Sequence, residues 1–172
     1  LSGNRDLLAF QRAGAYGDIY FAFVNGSGIV VQGMTNLSND GTAVWDWGWP
    51  DAVQLSNGRI VVAWEVDTSP YPGLRYTMLT NAYVPVISPT LLSDPSAGTG
   101  DGYVSVAADQ TDHAILTWMD YDSGYRRNLY YALMDGAGEV IVPPMIFYTS
   151  QAAVPYVETS STGYGNAPYA AR

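Results

Sequence analysis

The sequence has no cysteine, no lysine and a single histidine, His113. Without cysteine there is no disulfide, no thiolate nucleophile and no thiolate metal site. Without lysine there is neither Schiff-base chemistry nor a P-loop. One histidine cannot build a multi-histidine metal centre within a chain. No apolar run approaches the ~20 residues that a membrane-spanning helix needs. Charge is scarce as well: 13% of residues are charged, about half the usual ~25%. What charge there is leans one way, with 16 acids against seven bases, all seven of them arginine, and a net charge of −9. Such a surface repels phosphate backbones, so no nucleic-acid partner is expected.

What is present is apolar and aromatic. Hydrophobic residues make up 48% of the 172, enough for a packed core, and 14 tyrosines, 18 glycines and 10 prolines point to an all-β chain. Leucine rather than methionine at position 1 reads as processing or as excision from a longer gene.

The chain repeats itself. Ala114-Ile-Leu-Thr-Trp118 is followed by a polar loop, Leu129-Tyr-Tyr-Ala-Leu-Met-Asp135, Gly136-Ala-Gly138 and Glu139-Val-Ile-Val-Pro-Pro144. Earlier stand Ile60-Val-Val-Ala-Trp64, Leu74-Arg-Tyr-Thr-Met-Leu-Thr80 and Val84-Pro-Val-Ile-Ser-Pro89. Earlier still stand Leu7-Leu-Ala-Phe10, Ile19-Tyr-Phe-Ala-Phe-Val-Asn25 and Ile29-Val-Val-Gln32. Phe10, Trp64 and Trp118 are spaced 54 and 54; Ile19, Leu74 and Leu129 are spaced 55 and 55.

Asn25-Gly26, Asn57-Gly58 and Asp135-Gly136 supply the dihedrals of tight hairpins. The unbroken apolar run Ile60–Trp64 predicts a strand covered on both faces. Small antiparallel sheets of this kind, repeated at such intervals, describe the blades of a β-propeller. The predicted blades span about 7–38, 50–93 and 103–148, with a further strand at about 154–161. The first blade lacks its innermost strand, and Tyr156-Val-Glu-Thr-Ser160 matches Tyr103-Val-Ser-Val-Ala107. Three blades cannot close a ring. Two chains exchanging that last strand would make six blades as an obligate homodimer; a fragment of a longer propeller is the alternative.

Ile115-Leu-Thr-Trp-Met-Asp120 followed by Leu129-Tyr-Tyr-Ala-Leu-Met-Asp135-Gly-Ala-Gly resembles the roughly 55-residue repeats of bacterial extracellular β-propellers. The resemblance covers all three copies, with Val66 at the position of Asp120 and Phe10 at that of the tryptophan. It implies the fold and a secreted or cell-surface setting. Enzymes, lectins and adhesive proteins share such repeats, so it does not imply an activity. Ser38-Asn-Asp-Gly-Thr-Ala-Val-Trp45 is close to a sialidase Asp-box, but its spacing is off by one.

The long connections at 39–50, 67–73, 94–102, 120–128 and 148–155 are predicted to share one face and to carry function. Trp45, Trp47 and Trp49 alternate, which would project them to one side of an extended segment. Together with Asp46, Tyr71, Asp101, Tyr125, Arg126 and Arg127 they form a candidate glycan surface, aromatic faces for sugar C–H groups beside polar groups for hydroxyls. The competing reading is that the tryptophans plug gaps between blades. Trp64 and Trp118 are read as core. Asp101, Asp120 and Asp122 are candidate calcium ligands, without a complete calcium loop; otherwise no cofactor is expected. His113 reads as a turn residue. The leading expectation is a non-catalytic binding module for a glycan. The alternatives are a glycoside hydrolase using loop aspartates and a structural propeller within a larger surface protein.

Overall fold

The computed structural model describes residues 5–12, 17–38, 45–68, 71–92, 101–121 and 127–150. Of residues 45–48, 67, 68, 71, 72, 101, 102, 120 and 121 it describes the backbone alone. The expected strand at 154–161 lies outside these residues.

All regular structure among the described residues is β, in eleven strands forming three antiparallel sheets. The first sheet holds β1 (Arg5–Arg12), β2 (Asp18–Asn25) and β3 (Val30–Asn36). The middle sheet holds β4 (Trp45–Gln54), β5 (Ile60–Thr68), β6 (Tyr71–Leu79) and β7 (Pro85–Leu91). The third holds β8 (Asp101–Ala108), β9 (Ala114–Tyr121), β10 (Arg127–Met134) and β11 (Val140–Thr149). Each is a meander in which sequence neighbours pair, and none closes on itself.

Turn chemistry sets these hairpins. In five of them the first residue's amide donates to the carbonyl four positions on; these residues are Asn25, Leu55, Thr80, Asp109 and Asp135. The side chains of Asn25, Thr80, Asp109 and Asp135 accept from amides within their own turns. The fourth position is left-handed throughout: Gly28 (φ 74°), Gly58 (85°), Tyr83 (68°), Asp112 (65°) and Gly138 (93°). Glycine takes that conformation freely, whereas Tyr83 and Asp112 hold it at a cost.

Registers coincide between sheets. Leu7 pairs with Phe23, Val61 with Met78 and Ile115 with Leu133. Phe23, Met78 and Leu133 also sit at register shifts against the outer strands, opposite Gln32, Ile87 and Val142. The outer strands β3, β7 and β11 are largely exposed. Prolines 85, 89, 143 and 144 remove amide donors there, which blunts two of the three edges against further pairing.

The middle sheet lies between the other two. Val61, Ala63, Leu74, Tyr76 and Met78 pack on Val104, Val106, Leu116 and Trp118 of the third sheet. Ile60, Val62, Trp64 and Val66 pack on Ile19, Phe21 and Phe23 of the first. Residues 60–64 are therefore at most 1% exposed, and Trp64 and Trp118 are core residues.

The strands run longer than the sequence suggested at the end that bears the long connections. Residues 45–50, 67, 68, 71–73, 101, 102, 120, 121, 127, 128, 148 and 149 were expected in loops; the structure places them in strands. The ladder continues through largely polar residues because pairing satisfies backbone groups that a loop would leave to water. At β5–β6 it runs to the pair Thr68–Tyr71.

Candidate functional site

β4 and β8 are the first strands of their sheets, and they lie side by side across the boundary between them. Asp51 pins the two together. Its Oδ2 accepts from the Val106 amide at 2.8 Å, and its Oδ1 accepts from the Ala52 amide at 2.9 Å. The carboxylate thus satisfies an amide on the edge of β8 that has no strand to pair with.

Both strands are irregular just before this contact. The β4–β5 register shifts between Trp47 and Asp51, and the β8–β9 register shifts between Gly102 and Ser105. Inside the first irregularity Trp49 has φ 79°; inside the second Tyr103 has φ 55°. Large aromatic residues seldom occupy that region, because Cβ crowds the backbone. The two rings stack on each other with centroids 5.2 Å apart and planes 11° from parallel. Trp49 is 62% exposed, so the stack presents an aromatic surface to solvent rather than filling a core.

The expected alternation of Trp45, Trp47 and Trp49 rests on side chains at 45 and 47 that lie outside those described; at residue 49 the backbone leaves the extended conformation. Trp45, Asp46 and Trp47 lie in β4, opposite Asp67, Val66 and Glu65. Tyr71 opens β6. Arg127 opens β10, partly buried, with its amide donating to Ser150 Oγ at 3.0 Å. Tyr125, Arg126 and Asp122 lie outside the described residues. Among the candidates whose side chains the structure describes, Trp49 joins an aromatic cluster, and its partner Tyr103 was not singled out from sequence. The available signal was the spacing, since Tyr103 follows Trp49 by the same 54 residues that separate Trp64 from Trp118.

Asp101 and Asp120, two of the calcium candidates, are directly opposed on β8 and β9. Among the described residues no three metal-ligating side chains come together. No described helix is long and apolar enough to cross a membrane.

The opposite end of the sheets carries the tight turns, tied together by polar contacts. Asp112 accepts from the Asn57 amide at 2.7 Å and from the Ser56 hydroxyl. Asn57 Nδ2 and Arg59 Nη1 both donate to the Gly136 carbonyl, at 3.1 and 2.7 Å. His113 Nδ1 lies 3.1 Å from Asp109 Oδ2 and 2.8 Å from Thr111 Oγ1. The Thr111 hydroxyl, then the His113 amide, hold the Asp109 carboxyl well below its ordinary range. The Glu139 amide lowers the Asp135 carboxyl. Burial pushes the Tyr76 hydroxyl up. Tyr76 lies in β6, its hydroxyl donating to the Gly138 carbonyl; the other groups are engaged within their own turns or between adjacent turns, which makes this end a structural tie.

No family model, curated protein or solved structure matches the chain.

Proposed function

We propose that the chain forms three blades of a β-propeller, completed by a second copy, and that it binds a glycan without transforming it. Shared strand registers, recurring turns and a middle sheet packed on both sides support the propeller. The observation that carries the binding reading is the solvent-facing stack of Trp49 on Tyr103.

Two bulky residues in left-handed conformations cost free energy, and such strain persists where the surroundings over-determine it, commonly at binding sites. An exposed indole contributes little to folding, but it offers a rigid, flat, apolar face with a polar edge. The C–H face of a pyranose ring fits such a surface. The stack also lies near the starts of β4 and β8, the end at which the longer connections leave the sheets.

The test is a titration of the 172-residue chain against a panel of neutral and acidic glycans, followed by tryptophan fluorescence with acrylamide as quencher. A bound sugar should relieve quenching, and Trp49→Ala should abolish binding while the melting temperature stays close to that of the parent. Indifference of the parent to every glycan, or unchanged binding by Trp49→Ala, would overturn the reading. Turnover of aryl glycosides by the parent would replace it with the hydrolase alternative.

A further inference from the structure

The first and third sheets each turn one apolar face away from the middle sheet. We infer that these two faces are the halves of one interface, the third sheet of one chain packing on the first sheet of a second copy. The inference rests on the propeller reading and says which surfaces close the ring.

Equivalent positions carry the argument. On the face toward the following sheet, Leu7, Ile19, Phe21 and Phe23 pack on the middle sheet. In the middle sheet Val61, Leu74, Tyr76 and Met78 pack on the third. The same positions of the third sheet are Ile115, Leu129, Tyr131 and Leu133, which join neither core and are partly exposed. Their side chains match those that are buried in the middle sheet, yet no sheet among the described residues covers them.

The face toward the preceding sheet shows the converse. Val62 and Trp64 pack on the first sheet, and Leu116 and Trp118 pack on the middle one. The first sheet has Leu8 and Phe10 at these positions. Leu8 is 46% exposed, where Val62 and Leu116 are 0%. Phe10 stacks on Tyr20 at 6.3 Å, as Trp118 stacks on Tyr130 at 5.6 Å.

A contact between turn and sheet gives a second line of evidence. Tyr83, in the β6–β7 turn, stacks on Phe23 of the first sheet at 3.6 Å. At the equivalent position in the third sheet, Gly138 packs so closely on the middle sheet that an added Cβ would lie 2.1 Å from Ile87 Cδ1 and 3.2 Å from Met78. At that position in the first sheet, Gly28 has nothing within 4 Å. The site built to meet a preceding sheet is present and empty, while Leu133 and Val142, which stand where Met78 and Ile87 stand, are uncovered on the third sheet.

Each chain thus offers one face of each kind. Two chains joined head to tail bury all four faces in two identical contacts around a two-fold axis, a closed assembly. An apolar partner of different sequence would have to match both faces separately; a second copy matches them by construction.

The experiment is light scattering on the 172-residue chain and on Leu8→Asp and Tyr131→Asp, with circular dichroism to confirm folding. The parent should show twice the 18.6 kDa of one chain. Each variant should be monomeric, its self-association weakened at least about 100-fold by a charge placed in an apolar contact. An equimolar mixture of the two should recover a dimer, because one of its two interfaces then contains neither substitution. If Tyr131→Asp does not fold, Met145→Asp takes its place. Met145 is 48% exposed and opposite Tyr131, 3.7 Å from its hydroxyl. A monomeric parent would overturn the second copy as occupant and leave the glycan titration untouched. A dimeric parent unaffected by the substitutions, or variants that do not complement each other, would overturn the assignment of faces while leaving the dimer.

Discussion

β5 in the middle sheet and its counterparts β1 and β9 have similar sequences and different fates. All five residues from Ile60 to Trp64 are buried, whereas over the equivalent Ala114–Trp118 of β9 burial alternates, with Ala114, Leu116 and Trp118 buried and Ile115 and Thr117 partly exposed. In β1 no residue is fully buried. Position within the stack of sheets, rather than the residues of the strand, decides burial. The outer sheets carry sequences suited to two covered faces and have one.

The largest effects should follow this division. Trp64→Ala and Trp118→Ala each remove a side chain at most 1% exposed and should cost about 3–5 kcal/mol. Phe10→Ala, at the equivalent but partly exposed position, should cost about 1 kcal/mol in a monomeric background such as Leu8→Asp, since most of the transfer and cavity terms are absent. Urea unfolding of the three variants measures the difference. Equal losses at all three positions would mean that the first sheet is covered by something within the chain.

A smaller contrast separates Gly138 from Gly28. Both are left-handed, so alanine at either should cost about 1 kcal/mol in backbone strain. At Gly138 the new methyl also meets Ile87 and Met78, adding about 1 kcal/mol; the contacted atoms end flexible side chains and can move aside. If Gly28→Ala proved as costly as Gly138→Ala in a monomer, the open space at Gly28 would be wrong.

The strands and three of the five tight turns were legible because apolar runs and Asn-Gly or Asp-Gly pairs state them locally. Ile60–Trp64 read as covered on both faces, and it is. Strand ends were harder to read. Polar residues such as Asp67, Thr68, Asp101 and Asp120 look like loop residues, yet they extend ladders that only the paired partner reveals. The candidate site was half legible. Trp49 stood out as an unusual tryptophan, but the backbone reversal that turns it onto Tyr103 has no signature in a Trp-Gly-Trp-Pro string. Left-handed conformations at Trp49 and Tyr103, as at Tyr83, are imposed by register shifts and packing against local preference.

The two ends of the sheets should also differ in their response to acid. At the turn end Asp109 and Asp135 have carboxyls depressed from the ordinary 3.8 by hydrogen bonds in the folded chain. A depressed carboxylate contributes stability that is present above its unfolded value and lost as pH falls through the folded one. Melting temperature should therefore hold from neutral pH to about 4 and decline below it. Asp109 is exposed and Asp135 partly exposed, so the contribution is modest. Asp109→Asn with Asp135→Asn should lower the neutral-pH melting temperature slightly and flatten that decline. An unchanged acid slope would place the acid sensitivity elsewhere.

The smallest expected effect on stability lies at Trp49, and it gives the sharpest contrast with Trp118. Trp49→Gly removes a ring stacked on Tyr103, which costs about 0.5–1.5 kcal/mol. It also relieves the left-handed strain of a bulky residue, a gain of about 1–2 kcal/mol. Against that stands the greater freedom of glycine in the unfolded chain, about 0.4–1 kcal/mol. The terms nearly cancel, so the unfolding midpoint should move little in either direction. Trp118→Ala should be among the most damaging substitutions in the chain. A loss above about 2 kcal/mol at Trp49 would show that the ring supports the boundary between β4 and β8, and would return it to the role of a plug. A neutral result accompanied by loss of glycan binding would mean that the strain at residue 49 is maintained for recognition. Tyr103→Gly provides the control: it removes the other half of the same stack and should be nearly as neutral, because Tyr103 carries the same kind of strain at φ 55°.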